Sequence, residues 1–360
     1  MTQTTQATEY IVAADAAPIV ADVVADIGNA RTVILVRREG DDVPSAITMP
    51  SVRSLHGAFS WELFAARGLP PQSWARLGRD EHVIEAGGVE RFVGQLAVEH
   101  VAAASSGRGS DARYYDGTTL DFILAGVAAA LPGAARVNVR LTTMLPVALW
   151  QLAPRVVEAL RGRHQLRYNG HDLVVTIASV TVKREAESAF GALEGDTSGP
   201  LVIIDGGGRT VNIALFRDGE YRSGRTLELG VQAALDNLDR ALIGRGLRSL
   251  TLAERGELES ALIAGQPYSI IVDGQRHAIE GLARAQLDET ARALAQEVYA
   301  CVPLDQARRV AFVGGAAHGA LFGNTIKAAI PRCELAGLRE LANAYGAMSG
   351  AQPKKGKGRK

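Results

Sequence analysis

The chain has 360 residues, of which 47% are hydrophobic, 22% charged and 5% aromatic. This length is too great for one ordinary domain and predicts two lobes of about 150 residues each. Basic and acidic residues balance at 39 each, but residues 351–360 contain five Lys or Arg and no acid, which leaves 34 basic against 39 acidic residues elsewhere. This balance argues against a globally basic nucleic-acid-binding protein.

Cysteine usage and the absence of long apolar runs indicate the compartment. Cys301 and Cys333 form neither a disulfide framework nor a metal cluster, which fits a reducing environment. The first residues lack the features of a signal peptide, and no apolar run reaches the roughly 20 residues that span a bilayer. We therefore expect a cytoplasmic protein without membrane contact.

The first half of the chain predicts hairpins and a mixed α/β lobe. Residues 1–17 look like a flexible leader, and β-rich runs at 19–26 and 32–37 enclose the turn Ile27-Gly28-Asn29-Ala30. A second hairpin is predicted around Ala86-Gly87-Gly88. The remaining predicted elements are a helix at 118–131, a strand at 137–141, a helix at 154–160, a strand at 173–182 and a helix from residue 185.

The second half repeats the opening pattern. A strand at 201–204 leads through Asp205-Gly206-Gly207-Gly208 to a strand at 210–216. Further elements are predicted as helices at 231–243 and 287–299, a strand at 309–313 and a closing helix at 338–348, before a disordered Gly/Lys-rich tail at 351–360. The pattern strand-Asp-x-Gly-strand thus occurs once in each half, which indicates duplicated lobes.

The turns of the two hairpins have the composition of phosphate-binding loops. Gly28 and Gly207 allow a phosphate to approach backbone N–H groups closely, and Asp26 at a strand end could hold a Mg²⁺-bound water. The alternative for the first turn is an ordinary hairpin, since Asp, Gly and Asn are standard turn residues. The alternative for the second is a flexible Gly-rich turn, although three successive glycines favour close approach of a ligand.

Two weaker motifs are also compatible with a bound nucleotide. Gly314-Gly315 after a buried strand could lie against a flat adenosine, although a helix-packing turn is the usual reason for such a pair. Glu185 and Glu187 precede the loop at 195–200. Either carboxylate could orient a water for attack on a γ-phosphate, and a solvated helical glutamate is the ordinary alternative.

In this order, the motifs resemble the actin, sugar-kinase and heat-shock-chaperone ATPase superfamily. The segment Leu341-Ala342-Asn343-Ala344-Tyr345-Gly346-Ala347 resembles its second connecting helix. Within the superfamily, Val83-Ile84-Glu85-Ala86-Gly87-Gly88 followed by Arg91-Phe92-Val93-Gly94-Gln95-Leu96-Ala97 resembles the ParM/StbA and archaeal actin-like group.

The resemblance implies an α/β fold of two similar ribonuclease-H-like lobes around a central nucleotide cleft. It implies an N-terminal lobe at 18–194 plus 336–350 and a C-terminal lobe at 195–335. The implied ligands are ATP or GTP with Mg²⁺. The implied site residues are Asp26 and Asp205 for the metal, Gly28, Asn29, Gly207, Gly208 and Thr210 for the phosphates, Gly314, Gly315 and Ala316 for adenosine, and Glu187 with Asp205 for hydrolysis.

One departure concerns the phosphate-binding lysine that many members carry seven residues after the first Asp. Val33 stands at that position, which leaves the rate of hydrolysis open. Arg31 or Arg209 could supply the missing charge, although a solvated strand residue is the commoner interpretation of Arg31.

The family likeness leads to two functional hypotheses. The first is a nucleotide-dependent filament for plasmid or DNA segregation, which would contact DNA through an adaptor and use the basic tail on DNA or an acidic partner. The second is a non-polymerising nucleotide switch or chaperone-like ATPase of the same fold. An MreB-like cytoskeletal role is a further alternative.

Overall fold

The structure is a computed structural model that describes residues 17–54, 80–100, 104–106 and 111–349. The internal contacts divide the chain into unit 1, residues 1–144 and 151–182, and unit 2, residues 145–150 and 183–360. This division places 183–194 and 336–349 with unit 2, whereas the lobes expected from the resemblance place them with the first lobe. The predicted leader, apart from residue 17, and the basic tail lie outside the described residues.

Unit 1 is built on a mixed sheet with helices against it. Its strands are β1 Ile19–Ile27, β2 Arg31–Arg38, β3 Ser45–Pro50, β4 Val52–Ser54, β5 Glu81–Ala86, β6 Val89–Gly94, β7 Ala104–Ser106, β8 Arg136–Leu145, β9 Gly162–Tyr168 and β10 His171–Arg184. Its helices are α1 Gln95–His100, α2 Thr118–Ala130 and α3 Ala153–Leu160, with a 3₁₀ turn at Asp111–Tyr114.

The strands of unit 1 form a ten-stranded sheet of order β3-β2-β1-β8-β10-β9-β5-β6-β4-β7. β1 pairs antiparallel with β2 and parallel with β8. The apolar helix α2 packs over β1 and β2, and Gly126 permits the contact because a Cβ there would lie 2.5 Å from Cγ1 of Ile34. The core therefore lies between this helix and the β1–β2 hairpin.

Unit 2 has a smaller sheet and longer helices. Its strands are β11 Pro200–Gly206, β12 Val211–Arg217, β13 Glu220–Leu227, β14 Ser269–Val272, β15 Gln275–Ala278, β16 Arg309–Val313 and β17 Cys333–Leu335. Its helices are α4 Val231–Ile243, α5 Leu252–Ala264, α6 Glu280–Cys301, α7 Asn324–Ala329 and α8 Ala342–Met348, with short turns at Ser188–Ala192, Gly315–Ala317, Gly319–Gly323 and Arg339–Leu341.

The two sheets share one local topology. The five-stranded sheet of unit 2 has the order β13-β12-β11-β16-β17, in which β11 pairs antiparallel with β12 and parallel with β16. The segment β3-β2-β1-β8 of unit 1 repeats this arrangement. The duplication predicted from the two strand-Asp-x-Gly-strand patterns is therefore confirmed. In each copy the Asp lies near the end of the first hairpin strand: Asp26 on β1, which is parallel to β8, and Asp205 on β11, which is parallel to β16.

Several sequence predictions need correction. The helix expected from Glu185 is absent from this part of the described chain, because β10 continues to Arg184 and the backbone then turns, with Ala186 at a φ of 61°. A left-handed residue cannot continue a right-handed helix, so only a 3₁₀ turn follows at Ser188–Ala192. The closing helix is shorter than predicted and is preceded by the 3₁₀ turn Arg339–Leu341.

Among the described residues, no helix combines the length and the apolar character of a membrane span.

Candidate functional site

The two hairpin turns occupy equivalent places in the two sheets. Loop 1 comprises residues 27–30 and loop 2 comprises residues 206–210. Asp26 pairs with Val33 across the first hairpin, and Asp205 pairs with Asn212 across the second. Val33, at the position where the resemblance implies lysine, is apolar and only 2% exposed, and its counterpart in unit 2 is the amide Asn212.

Loop 1 is a tight, half-buried turn whose carbonyl groups are hydrogen-bonded by an arginine side chain. A Cβ on Gly28 would lie 2.6 Å from the carbonyl oxygen of Arg31, so glycine is needed for the close chain reversal. Arg113 donates to the carbonyl oxygens of Ile27 and Gly28, each at 3.4 Å. Asn29 follows in the same turn, and the loop is partly exposed.

Loop 2 is closed within itself and tied to the start of α4. The N–H of Gly207 donates to the carbonyl of Thr210 at 2.9 Å. The N–H groups of Val231 and Gln232 donate to the carbonyls of Gly207 and Gly208 at 3.3 and 2.6 Å. The carbonyls of Gly207 and Gly208 therefore point toward α4, and the residues from Gly207 to Thr210 are half-buried rather than enclosed.

Asp205 ends its strand in an almost fully buried setting. Its side chain accepts a hydrogen bond of 2.8 Å from Nδ2 of Asn343, and Ala186 N–H also donates to it. Burial raises the pKa of Asp205 to about 6, and these two hydrogen bonds oppose the rise. The charged carboxylate therefore carries a desolvation cost that a bound cation would relieve.

The two candidate glutamates differ in their surroundings. Glu185 is buried and accepts a hydrogen bond of 2.5 Å from Nδ2 of Asn212. Glu187 has a side chain that is 32% exposed and forms an ion pair of 2.9 Å with Arg184. Glu187 can therefore reach a solvent molecule, whereas Glu185 braces the strand that follows loop 2.

The last helix crosses the turn after β10 at very close range. A Cβ on Gly346 would lie 2.1 Å from the carbonyl oxygen of Ser188, and one on Gly191 would lie 2.5 Å from the carbonyl oxygen of Gly346. Asn343 of the same helix accepts from Ala186 N–H at 3.1 Å. The small residues predicted for α8 thus allow a polar side chain to connect Asp205 with the turn that carries Glu185 and Glu187.

A cavity of about 380 Å³ lies beside the chain segment that follows Gly314-Gly315. Gly314 has a φ of 86°, and a Cβ there would lie 2.4 Å from Oδ1 of Asp205. The cavity is lined by Leu262, Ile263, Gly265, Arg284, Asp288, Gly319, Ala320, Leu321, Asn324 and Thr325. Thr325 donates to Oδ1 of Asp288 at 2.7 Å. The cavity is open to solvent, and polar and charged side chains make up a large part of its lining.

The carboxylates fit one kind of metal site. No group of three or more His, Cys, Asp or Glu side chains comes together within the described ranges, which argues against a closed protein cage there. Mg²⁺ is usually held by one or two carboxylates together with phosphate oxygens and waters. A buried Asp205 at the end of β11, next to a glycine-rich turn, fits that donor set.

Two residues of the site, Arg113 and Asn212, were missed from the sequence, because each contacts residues that are distant in the chain. Asn343 lies in the segment that resembles the second connecting helix, but its hydrogen bond to Asp205 was not predicted. Asn212 had a detectable signal, since it stands seven residues after Asp205, as Val33 does after Asp26.

Comparisons with known proteins confirm the actin-like resemblance. Residues 25–187 match the family model described as Actin like proteins N terminal domain. An archaeal actin homologue superposes with a TM-score of 0.70 at 16% identity over 91% of this chain and 98% of that chain. The ParM of a 15-stranded filament from Clostridium botulinum superposes with a TM-score of 0.70 at 16% identity, over 91% of this chain and 97% of that chain. Bacillus thuringiensis ParM with ATP superposes with a TM-score of 0.63 at 15% identity, over 92% of this chain and 96% of that chain.

No curated protein matches the chain. At these identities the structural likeness shows the fold, which is that of the actin-like proteins.

Proposed function

We propose that this actin-like chain binds a nucleoside triphosphate with Mg²⁺, hydrolyses it and assembles into nucleotide-dependent filaments. The observation that carries the proposal is the pairing of loop 2 with Asp205. The carbonyls of Gly207 and Gly208 are tied back to α4, so the N–H groups of the same two peptide units, those of Gly208 and Arg209, point away from that helix, as an anion site requires. The buried carboxylate beside it suits a cation that accompanies that anion.

The roles of the residues follow the resemblance. Gly207, Gly208 and Thr210 hold the β- and γ-phosphates, Gly28 and Asn29 hold the terminal phosphates, and Asp26 and Asp205 hold the hydrated Mg²⁺. The cation supplies charge neutralisation on the phosphate oxygens. Gly314, Gly315 and Ala316 lie against the nucleoside.

Glu187 is the better candidate for orienting the attacking water. Its side chain is 32% exposed and is held by Arg184. Glu185 has its carboxylate engaged by Asn212 at 2.5 Å. A group that positions water needs access to water and a fixed orientation, and Glu187 has both.

Filament formation is supported by the fold and by the Clostridium botulinum ParM, whose structure is that of a filament. A head-to-tail contact that does not close generates a filament rather than a ring. A role in DNA segregation, with DNA contacted through an adaptor or through the basic tail, belongs to the same proposal.

Sedimentation of the full chain with ATP, GTP, ADP or no nucleotide, followed by negative-stain imaging, tests the proposal. We expect filaments with a triphosphate and few with ADP. Binding and turnover without any assembly would instead support the non-polymerising nucleotide switch.

A further inference from the structure

Arg113 lies beneath loop 1 in a buried position, 6% exposed. Its guanidinium donates to the carbonyls of Ile27 and Gly28, each at 3.4 Å, and to the hydroxyl of Tyr114 at 2.6 Å. It also lies 4.5 Å from the centre of the Tyr114 ring. The arginine is thus held by its neighbour while its two terminal nitrogens face two consecutive loop carbonyls.

The direction of these carbonyls fixes the direction of the neighbouring amides. The peptide bonds of the described residues are trans, so each C=O is antiparallel to the N–H of the same peptide unit. The Ile27 carbonyl shares its peptide with the Gly28 N–H, and the Gly28 carbonyl shares its peptide with the Asn29 N–H. Because both carbonyls face Arg113, both N–H groups point away from it, side by side.

Loop 2 reaches a similar result with different chemistry. There the carbonyls of Gly207 and Gly208 accept from the N–H groups at the start of α4, at 3.3 and 2.6 Å. Gly207 is the counterpart of Gly28, since each lies two residues after the Asp of its hairpin, so the bonded carbonyls of loop 2 begin one residue later than those of loop 1. In unit 1 a guanidinium holds two consecutive loop carbonyls, as helix amides do in unit 2.

We propose that Arg113 is a positioning residue of loop 1, which turns the Gly28 and Asn29 amides toward the terminal phosphates and adds a positive charge behind them. The proposal rests on the proposed function. It also accounts for the departure from the family pattern, because the family lysine position is the buried Val33. A cation bonded to the carbonyl side of a peptide strengthens the N–H on its other side as a donor to an anion.

The test compares the affinities of ATP, ADP and AMP for the parent, Arg113→Gln and Arg113→Lys by equilibrium titration of the full chain. We expect Arg113→Gln to weaken the affinities for ATP and ADP by about tenfold to a hundredfold, and the affinity for AMP by less than about threefold; a tenfold loss corresponds to about 1.4 kcal/mol. Arg113→Lys keeps the positive charge but loses the pair of terminal nitrogens that contact the two carbonyls, so we expect a loss of ATP affinity between those of the parent and Arg113→Gln.

Arg155→Gln is the matched control. Its guanidinium lies 3.9 Å from the centre of the neighbouring Tyr115 ring, in the same kind of contact as Arg113 makes with Tyr114. Arg155→Gln should leave all three affinities unchanged. Equal losses for ATP and AMP in Arg113→Gln, or equal losses in the two glutamine variants, would overturn the positioning role.

A second readout separates this inference from the proposed function. The 1H–15N chemical shifts of the Gly28 and Asn29 amides, without nucleotide, should move in Tyr114→Phe, which removes the hydroxyl that holds Arg113, and in Arg113→Lys, because the carbonyls of the same peptide units lose their guanidinium donor. Unchanged shifts in both variants would contradict the inference even if ATP binds. A parent chain that binds no nucleotide would contradict the proposed function, and the shifts would still decide whether Arg113 orients the loop.

Discussion

Asn343 donates a hydrogen bond of 2.8 Å to the carboxylate of Asp205, although the two residues are 138 positions apart in the chain. The same side chain accepts from Ala186 N–H at 3.1 Å. One amide therefore links the strand end at loop 2 with the left-handed residue between Glu185 and Glu187. We expect changes at Asp205 to affect both the charge at loop 2 and the stability of this connection.

The buried charge of Asp205 makes stability depend on pH in a defined direction. Burial raises its pKa to about 6 from the ordinary value of 3.8, so the folded chain retains a proton that the unfolded chain releases. Stability should therefore fall as pH rises from about 4 to 6. Replacing the carboxylate in Asp205→Asn should remove this contribution, about 1 kcal/mol between pH 5 and 7. Urea unfolding of both chains at the two pH values measures it, and parallel pH profiles would contradict the assignment.

His82 should show the opposite dependence. It is 2% exposed, and burial lowers its pKa to about 4 from 6.5. The unfolded chain takes up a proton that the folded chain does not, so stability is complete above pH 6.5 and is lost as pH falls toward 4. The expected loss at pH 5 is about 2 kcal/mol.

An NMR titration of the His82 ring measures this pKa directly. Tyr168→Phe removes the hydroxyl that lies 2.9 Å from Nδ1 and leaves the ring. Because burial is the main cause, the pKa should stay low in this variant. A return to about 6.5 in Tyr168→Phe would show that the hydrogen bond is the cause instead.

The close crossing of α8 predicts a specific sensitivity to size. Gly346→Ala places a Cβ 2.1 Å from the carbonyl oxygen of Ser188, so the backbone must shift. We expect the free energy of unfolding to fall by about 1 to 3 kcal/mol. Gly256→Ala is the matched control, since Gly256 lies inside α5 and a Cβ added there would meet nothing within 4 Å. It should stabilise the chain by about 0.5 to 1 kcal/mol. Similar effects of the two substitutions in chemical denaturation would contradict the close packing.

Turnover separates the two glutamates. If Glu187 orients the attacking water, Glu187→Gln should retain ATP binding and lose roughly 10²- to 10⁴-fold in turnover. Filaments formed with ATP should then persist longer than those of the parent. Glu185→Gln keeps an oxygen for Asn212 and should retain most activity. The reverse ranking of the two variants in a phosphate-release assay would move the catalytic role to Glu185.

The sequence predicts the parts of the fold that depend on local pattern. The β1–β2 and β11–β12 hairpins, α4 and β16 follow from alternating or periodic apolar residues around glycine turns. The segment after β10 could not be predicted in this way, because the left-handed Ala186 is stabilised by Asn343 and Asp205 from distant parts of the chain.

The same limit applies to the site. Asp26, Gly28, Asp205 and Gly207 are recognisable because the chain itself brings each Asp next to its turn. Arg113 is brought to loop 1 only by tertiary packing, since it is 85 residues from Gly28. Interactions of this kind carry no signal in local spacing.

The Mg²⁺ dependence of ATP binding at pH 7 decides whether Asp205 and loop 2 form a nucleotide site. Calorimetric titration of ATP into the parent chain, with and without Mg²⁺, should show binding that tightens by at least about tenfold when the cation is present, a difference of about 1.4 kcal/mol. In Asp205→Asn this gain should disappear while the fold, measured by circular dichroism, is retained. An equal Mg²⁺ effect in both chains, or no ATP binding by the parent, would contradict the proposed site.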